Sequence, residues 1–267
     1  MCAFKIMLRG KKATAKLSAV PRLVSEEAET KYGNLSGKRV YLEKGFDVKF
    51  CPTLGLPDYI ADVLSQRGWE MFGMHPNGPY LAVVFEFYSN FLDQEQETVV
   101  LRSKEVEITA AAINEFYGLQ NFDDEYIPFA ENITDEQFDQ VLHVICVKGT
   151  RWNISRTGKR SCRRTALTPQ AEVWYHFLRT RLMPTTHDQI VSQDRCILLY
   201  CILTRKSIDV GKCIDEELCF SAFTKKEGKL FFPSLLSGMF LKVDIPHDDA
   251  KTTTKNLAKM SQWLLLD

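Results

Sequence analysis

Three threonines constrain the architecture of this chain more than any other feature. Thr109, Thr134 and Thr168 each stand ahead of apolar residues spaced at i, i+3 and i+4. A hydroxyl in that position satisfies the free amides that open an α-helix. Thr134 is followed three residues later by Gln137, the reciprocal pair of a capping box, and Phe138, Val141, Leu142 and Ile145 then recur at helical spacing until Gly149. Thr168 precedes Pro169, and proline suits the first helical position because its missing N–H has no partner there. Val173, Trp174, Phe177, Leu178 and Leu182 give that helix one apolar face, which Pro184 ends. Thr109 opens a shorter helix with Ile113, Phe116 and Tyr117, closed by Gly118.

The remaining periodicity is of the same kind. Residues 22–32 read as a helix closed by Gly33, and residues 56–66 as one opened by Pro57 and stopped at Gly68. Residues 80–92 carry a stripe of Val83, Val84, Phe87, Tyr88 and Phe91. Residues 190–205 are apolar on most sides in their second half, which predicts a central helix. Residues 213–223 and 233–241 predict two more, with Trp263 and Leu264 to Leu266 as a last apolar clasp. The one interruption is residues 98–108, where β-branched runs flank a polar Arg102-Ser103-Lys104-Glu105 turn and predict a short hairpin. The expectation is a mainly α, irregular multi-helix globular domain with one minor β-hairpin over residues 21–267. A basic, disordered arm is expected at residues 1–20, since the first acid after six Lys and Arg is Glu26.

Charge is distributed unevenly. Lys+Arg and Asp+Glu balance at 34 each, so no global field draws the chain to nucleic acid. Yet residues 105–147 hold ten acids and no Lys or Arg. Directly after them come Lys148, Arg151, Arg156, Lys159, Arg160, Arg163 and Arg164, with no acid until Glu172. This stretch has no apolar period and reads as an exposed loop. Arg151, Arg156, Lys159, Arg160, Arg163 and Arg164 are the candidate phosphate contacts, with Trp152 available to stack on a base. The competing reading is a solvated loop that docks on the acidic segment of its own chain.

Catalytic and metal signatures do not emerge. His143 with Cys146, Cys196 with Cys201 and Cys213 with Cys219 lack zinc spacing, and the eight cysteines read as buried free thiols. There is no nucleophile elbow, P-loop or dinucleotide fingerprint, so no cofactor and no enzyme activity are expected. Asp58, Asp62, Asp194, Asp209 and Asp215 could be nominated for a two-metal site but read as capping and surface acids. The longest apolar run, residues 196–203, is too short for a bilayer. The expected location is intracellular, with nucleus and cytoplasm both open.

One series of short runs looks familiar: Val40-Tyr41-Leu42-Glu43-Lys44-Gly45-Phe46-Asp47, Arg67-Gly68-Trp69, Glu86-Phe87-Tyr88-Ser89-Asn90 and Ile113-Asn114-Glu115-Phe116-Tyr117-Gly118-Leu119. It continues with Trp174-Tyr175-His176-Phe177, Arg181-Leu182-Met183-Pro184-Thr185-Thr186-His187, Ser207-Ile208-Asp209-Val210-Gly211 and Phe232-Pro233-Ser234-Leu235. Across residues 40–245 the chain resembles the family described as "Putative plant transposon protein domain", found in plant proteins derived from mobile elements. The resemblance implies a retrotransposon-related origin and carries over no catalytic residue. The reading is a non-catalytic element protein acting through protein or nucleic-acid contacts, self-association included. The alternatives are a degenerate transposase or nuclease with a carboxylate metal site, and an inert element relic.

Overall fold

A computed structural model describes residues 20–35, 38–46, 57–120, 123–224 and 229–245. In chain order these form α1 (Glu26–Leu35), α2 (Asp58–Gln66), the single turn α3 (Glu70–Gly73) and α4 (Leu81–Asn90). A hairpin of β1 (Thr98–Leu101) and β2 (Lys104–Glu107) leads into α5 (Ala110–Tyr117), α6 (Tyr126–Glu131) and α7 (Asp135–Ile145). Strands β3 (Asn153–Ile154) and β4 (Arg160–Arg163) run through a 3₁₀ turn at Arg164–Ala166 into α8 (Pro169–Arg181). Strand β5 (Ile190–Ser192), then α9 (Gln193–Leu203), α10 (Val210–Phe223) and α11 (Pro233–Lys242) follow. The fold is mainly α, with two small antiparallel sheets among the described residues.

The threonine caps work as the sequence predicts. Thr109 Oγ1 accepts the Ala112 amide at 3.1 Å and Thr168 Oγ1 accepts that of Ala171 at 3.3 Å. At α7 the capping box is complete, since Gln137 Oε1 also accepts the Thr134 amide at 2.8 Å. Gly118 ends α5 with φ 66°, the left-handed conformation that costs a residue without Cβ least.

Helix α9 is the centre: Cys196, Ile197, Leu198, Leu199, Cys201 and Ile202 are all buried, and α6, α7, α8, β4 and β5 pack around it. Beside it Phe177 of α8 stacks on Phe46 at 5.3 Å and meets Phe72 and Trp174 edge-on. Helix α10 lies on α5 at close range. A Cβ at Gly211 would sit 2.0 Å from the Ala110 carbonyl oxygen, so only glycine fits there.

Several elements depart from the sequence reading. Helix α1 runs through Gly33 to Leu35, because the buried Leu35 rewards the extra turn. The first residues of the expected 190–205 helix form β5 instead, where Ile190 and Val191 pair with Arg163 and Cys162. Helix α6 carries no buried residue and hence no periodic signal. Six described cysteines are free, five of them buried. Helix α7 ends at Ile145, so the extended Cys146 turns inward while His143 stays exposed on the helix. The 263–266 clasp and residues 1–19 of the basic arm lie outside the described residues.

Candidate functional site

The basic stretch is not an irregular loop. Asn153 and Ile154 pair with Ser161 and Arg160, and β4 pairs onward with β5. The sheet forms because the Cys162 thiol is pulled into the core against Cys196 at 3.6 Å, which anchors β4 on α9. The turn between β3 and β4 uses Gly158 at φ 79°, and Ser155 Oγ accepts the Lys159 amide at 3.1 Å.

The seven candidates separate into two groups. Trp152 is half-buried, its indole N–H donating to the Phe138 carbonyl at 3.3 Å and its ring edge-on to Phe138 at 5.9 Å. Its indole N–H is therefore spent within the fold. Arg160 Nη2 lies 2.6 Å from Asp135 Oδ1, and its guanidinium sits 4.1 Å from the Phe138 ring centroid. This contact ties the hairpin to the acidic segment of the same chain. Arg164 lies between Glu172 at 3.8 Å and Asp188 at 3.9 Å. Arg151, Arg156, Lys159 and Arg163 remain exposed, and among the described residues no carboxylate pairs with them.

Beside the hairpin runs a groove of about 590 Å³, lined by Lys159, Arg160, Arg195 and His187 and by the acids Asp188 and Asp194. Arg195 is occupied within the fold, donating to the Met183 and Pro184 carbonyls at 3.1 Å and so closing the chain after α8. Asp188 also lines a second cleft of about 560 Å³, on the side facing α8. That cleft gathers Arg39, Lys44, Arg164, Arg179 and Lys229 from four distant parts of the chain. No local pattern in the sequence marks this set, because only tertiary packing brings its members together.

The runs that carry the family resemblance land in the interior. Glu43 accepts the Ser234 and Leu235 amides at 2.6 and 3.0 Å, capping α11, whose preceding residue Phe232 has no side-chain acceptor. Arg67 donates to the Cys201 and Lys206 carbonyls at 2.7 Å each, closing the C-terminal end of α9. Asn114 holds Asp209 at 2.8 Å and the Gly211 amide at 2.8 Å, while Asp209 caps α10 by accepting from Lys212. These residues are long-range helix caps rather than a surface site.

The nominated acids are dispersed: Asp58 and Asp62 on α2, Asp194 at the start of α9, Asp209 at the N-cap of α10 and Asp215 within it. Among the described residues no group of three or more His, Cys, Asp or Glu side chains could hold a metal ion. No helix of the described residues is long and apolar enough to cross a membrane.

Comparison with curated proteins and with solved structures gives no match in either case. The family described as "Putative plant retrotransposon-related domain" matches residues 65–246, so the Val40-to-Asp47 run lies outside the match. That match spans more than half of the 267 residues and takes in the helix caps Arg67, Asn114 and Asp209, and by it the chain belongs to the Putative plant retrotransposon-related domain family.

Proposed function

We propose that this transposable-element-derived protein acts without catalysis, by holding the phosphate backbone of a nucleic acid against the β3–β4 hairpin. The observation that carries the reading is the state of four side chains. Arg151, Arg156, Lys159 and Arg163 stay in solvent with no carboxylate partner among the described residues, although the acidic segment lies close enough to capture Arg160. Each phosphate that such a cation neutralises releases a condensed counterion from the nucleic acid, which favours binding at low salt. Base stacking is not required, because Trp152 is half-buried and its indole N–H is spent on the Phe138 carbonyl. The contact is sequence-independent, since exposed Lys and Arg read phosphates and not base edges.

The test is a titration of the full chain with single- and double-stranded DNA and RNA at low and high salt, with and without Mg²⁺. Salt-sensitive binding is expected, and replacing all four cations with Ser should weaken it by roughly tenfold or more and flatten the salt slope by about 3. Unchanged affinity in that variant would remove the hairpin as the site. Mg²⁺-dependent cleavage would instead favour the degenerate nuclease.

A further inference from the structure

The second cleft stands apart from the hairpin, since none of Arg151, Arg156, Lys159 and Arg163 lines it. Its cations are placed by backbone contacts. The parallel bridge between Val40 and Leu230, with the Tyr41 amide donating to the Leu230 carbonyl at 2.8 Å, sets Arg39 and Lys229 side by side. Thr180 Oγ1 lies 3.1 Å from both the Lys44 and the His176 carbonyl, which sets Lys44 beside α8. His176 and Arg179 lie one turn apart on that helix and line the same wall. Arg164 comes from the 3₁₀ turn, held by its amide to the Gln189 carbonyl at 3.0 Å.

Neutralisation within the cleft is incomplete. Asp188 is the single carboxylate of the lining among the described residues, and its Oδ2 stands 3.9 Å from both Arg164 and Arg179. Glu172, partly in solvent, reaches Arg164 at 3.8 Å and His176 at 3.9 Å. All four separations are longer than a charge-assisted hydrogen bond, so the guanidinium donors are not spent on them. The Nε of Arg179 is buried with no acceptor among the described residues. Five Lys and Arg around one Asp repel one another, and the concave wall concentrates their field. Burial and the neighbouring cations accordingly push His176 down to about 4, and burial with Arg179 lowers Lys44.

We propose that this cleft is a binding site for a phosphoryl group of at least two negative charges, either a free di- or polyphosphate compound or the terminal phosphate of a nucleic-acid strand. Arg179, Arg164 and Arg39 present planar forks suited to phosphate oxygens, and Lys44 and Lys229 add point charges beside them. The volume of about 560 Å³ accommodates a nucleotide-sized ligand.

The experiment is calorimetric titration of pyrophosphate into the full chain, beside two single-stranded oligonucleotides that differ only in a 5′-phosphate or a 5′-hydroxyl. One saturable pyrophosphate site is expected, weakened by about tenfold or more in the double variant Arg39→Ser/Lys229→Ser, which loses two charged contacts at the rim. Arg179→Gln should abolish it, with circular dichroism confirming the fold. Tighter binding of the 5′-phosphate strand, competed by pyrophosphate, identifies the strand terminus as the source. Equal binding of the two strands with pyrophosphate still bound identifies the free compound. Absence of a saturable pyrophosphate site overturns the proposal, and so does an affinity unchanged by Arg39→Ser/Lys229→Ser. Loss of pyrophosphate binding on replacing Arg156, Lys159 and Arg163 also overturns it, by placing the anion on the hairpin. Pyrophosphate binding without any nucleic-acid binding sustains this site while removing the hairpin reading.

Discussion

Glu43 Oε1 stands 3.5 Å from Arg181 Nη1 with both side chains almost fully buried, and the same carboxylate caps α11. Arg181 in turn donates to the Phe72 carbonyl at 2.7 Å and lies over the Phe72 and Tyr117 rings. One carboxylate thus joins the segment before α2, the end of α8 and the start of α11. Glu43→Gln leaves the Arg181 charge uncompensated in the interior and should cost about 3 kcal/mol or more. Urea unfolding followed by circular dichroism measures it, and a loss below about 1 kcal/mol would mean that the pair contributes no more than an exposed one.

The β1–β2 turn stores strain. Arg102 and Ser103 occupy φ 49° and 74°, a conformation that favours glycine. Arg102 is held there by Glu86, which accepts its amide at 2.8 Å and approaches its Nε at 2.7 Å, an ion contact off the angle of a hydrogen bond. Ser103 is exposed and has no such tether. Ser103→Gly should therefore stabilise the protein by about 0.5–1 kcal/mol, while Arg102→Gly, which strands a buried carboxylate, should destabilise it by about 3 kcal/mol. Thermal unfolding of both variants gives opposite shifts if the turn is strained as described.

Gly211 tests the approach of α10 to α5. Gly211→Ala drives a methyl group into the Ala110 carbonyl and the Asn114 side chain. The helices must separate, at a cost of about 2–3 kcal/mol, whereas an exposed helical glycine replaced by alanine would gain stability. A rise in the denaturation midpoint would contradict the packing.

His176 makes stability depend on pH. Burial first, then Arg179, Arg164 and Lys44, holds it down to about 4 from an ordinary 6.5. The unfolded chain takes up the proton near 6.5 and the folded one near 4, so stability from this group is lost as pH falls between those values, by at most about 3 kcal/mol. Glu217 acts in the opposite direction: burial raises it to about 7, so its protonation favours the fold as pH falls below that value. The measurement is consequently a difference, the urea midpoint of wild type against His176→Gln at neutral pH and at mildly acid pH. The variant should lose less stability on acidification than the wild type.

Trp152 distinguishes packing from base stacking. Trp152→Leu should destabilise the hairpin by about 1–2 kcal/mol through the lost Phe138 contact and leave any oligonucleotide affinity unaltered. A marked loss of affinity in a folded variant would return Trp152 to the binding surface.

The helices were legible in the sequence because their signals are local. A cap, a period of three to four and a stop residue act within one or two turns, and the caps at Thr109, Thr134 and Thr168 form as their spacing predicts. The hairpin at Arg102-Ser103 was legible for the same reason, from two β-branched runs around a polar turn. Tertiary structure decided what depends on distant partners. Strand β4 exists because Cys162 finds the core beside Cys196, and nothing within the basic stretch specifies that. Trp152 faces inward because α7 places Phe138 beneath it. The cationic cleft draws Arg39, Lys44, Arg164, Arg179 and Lys229 from segments that the backbone bridges bring together, and charge acts through space without regard to sequence separation.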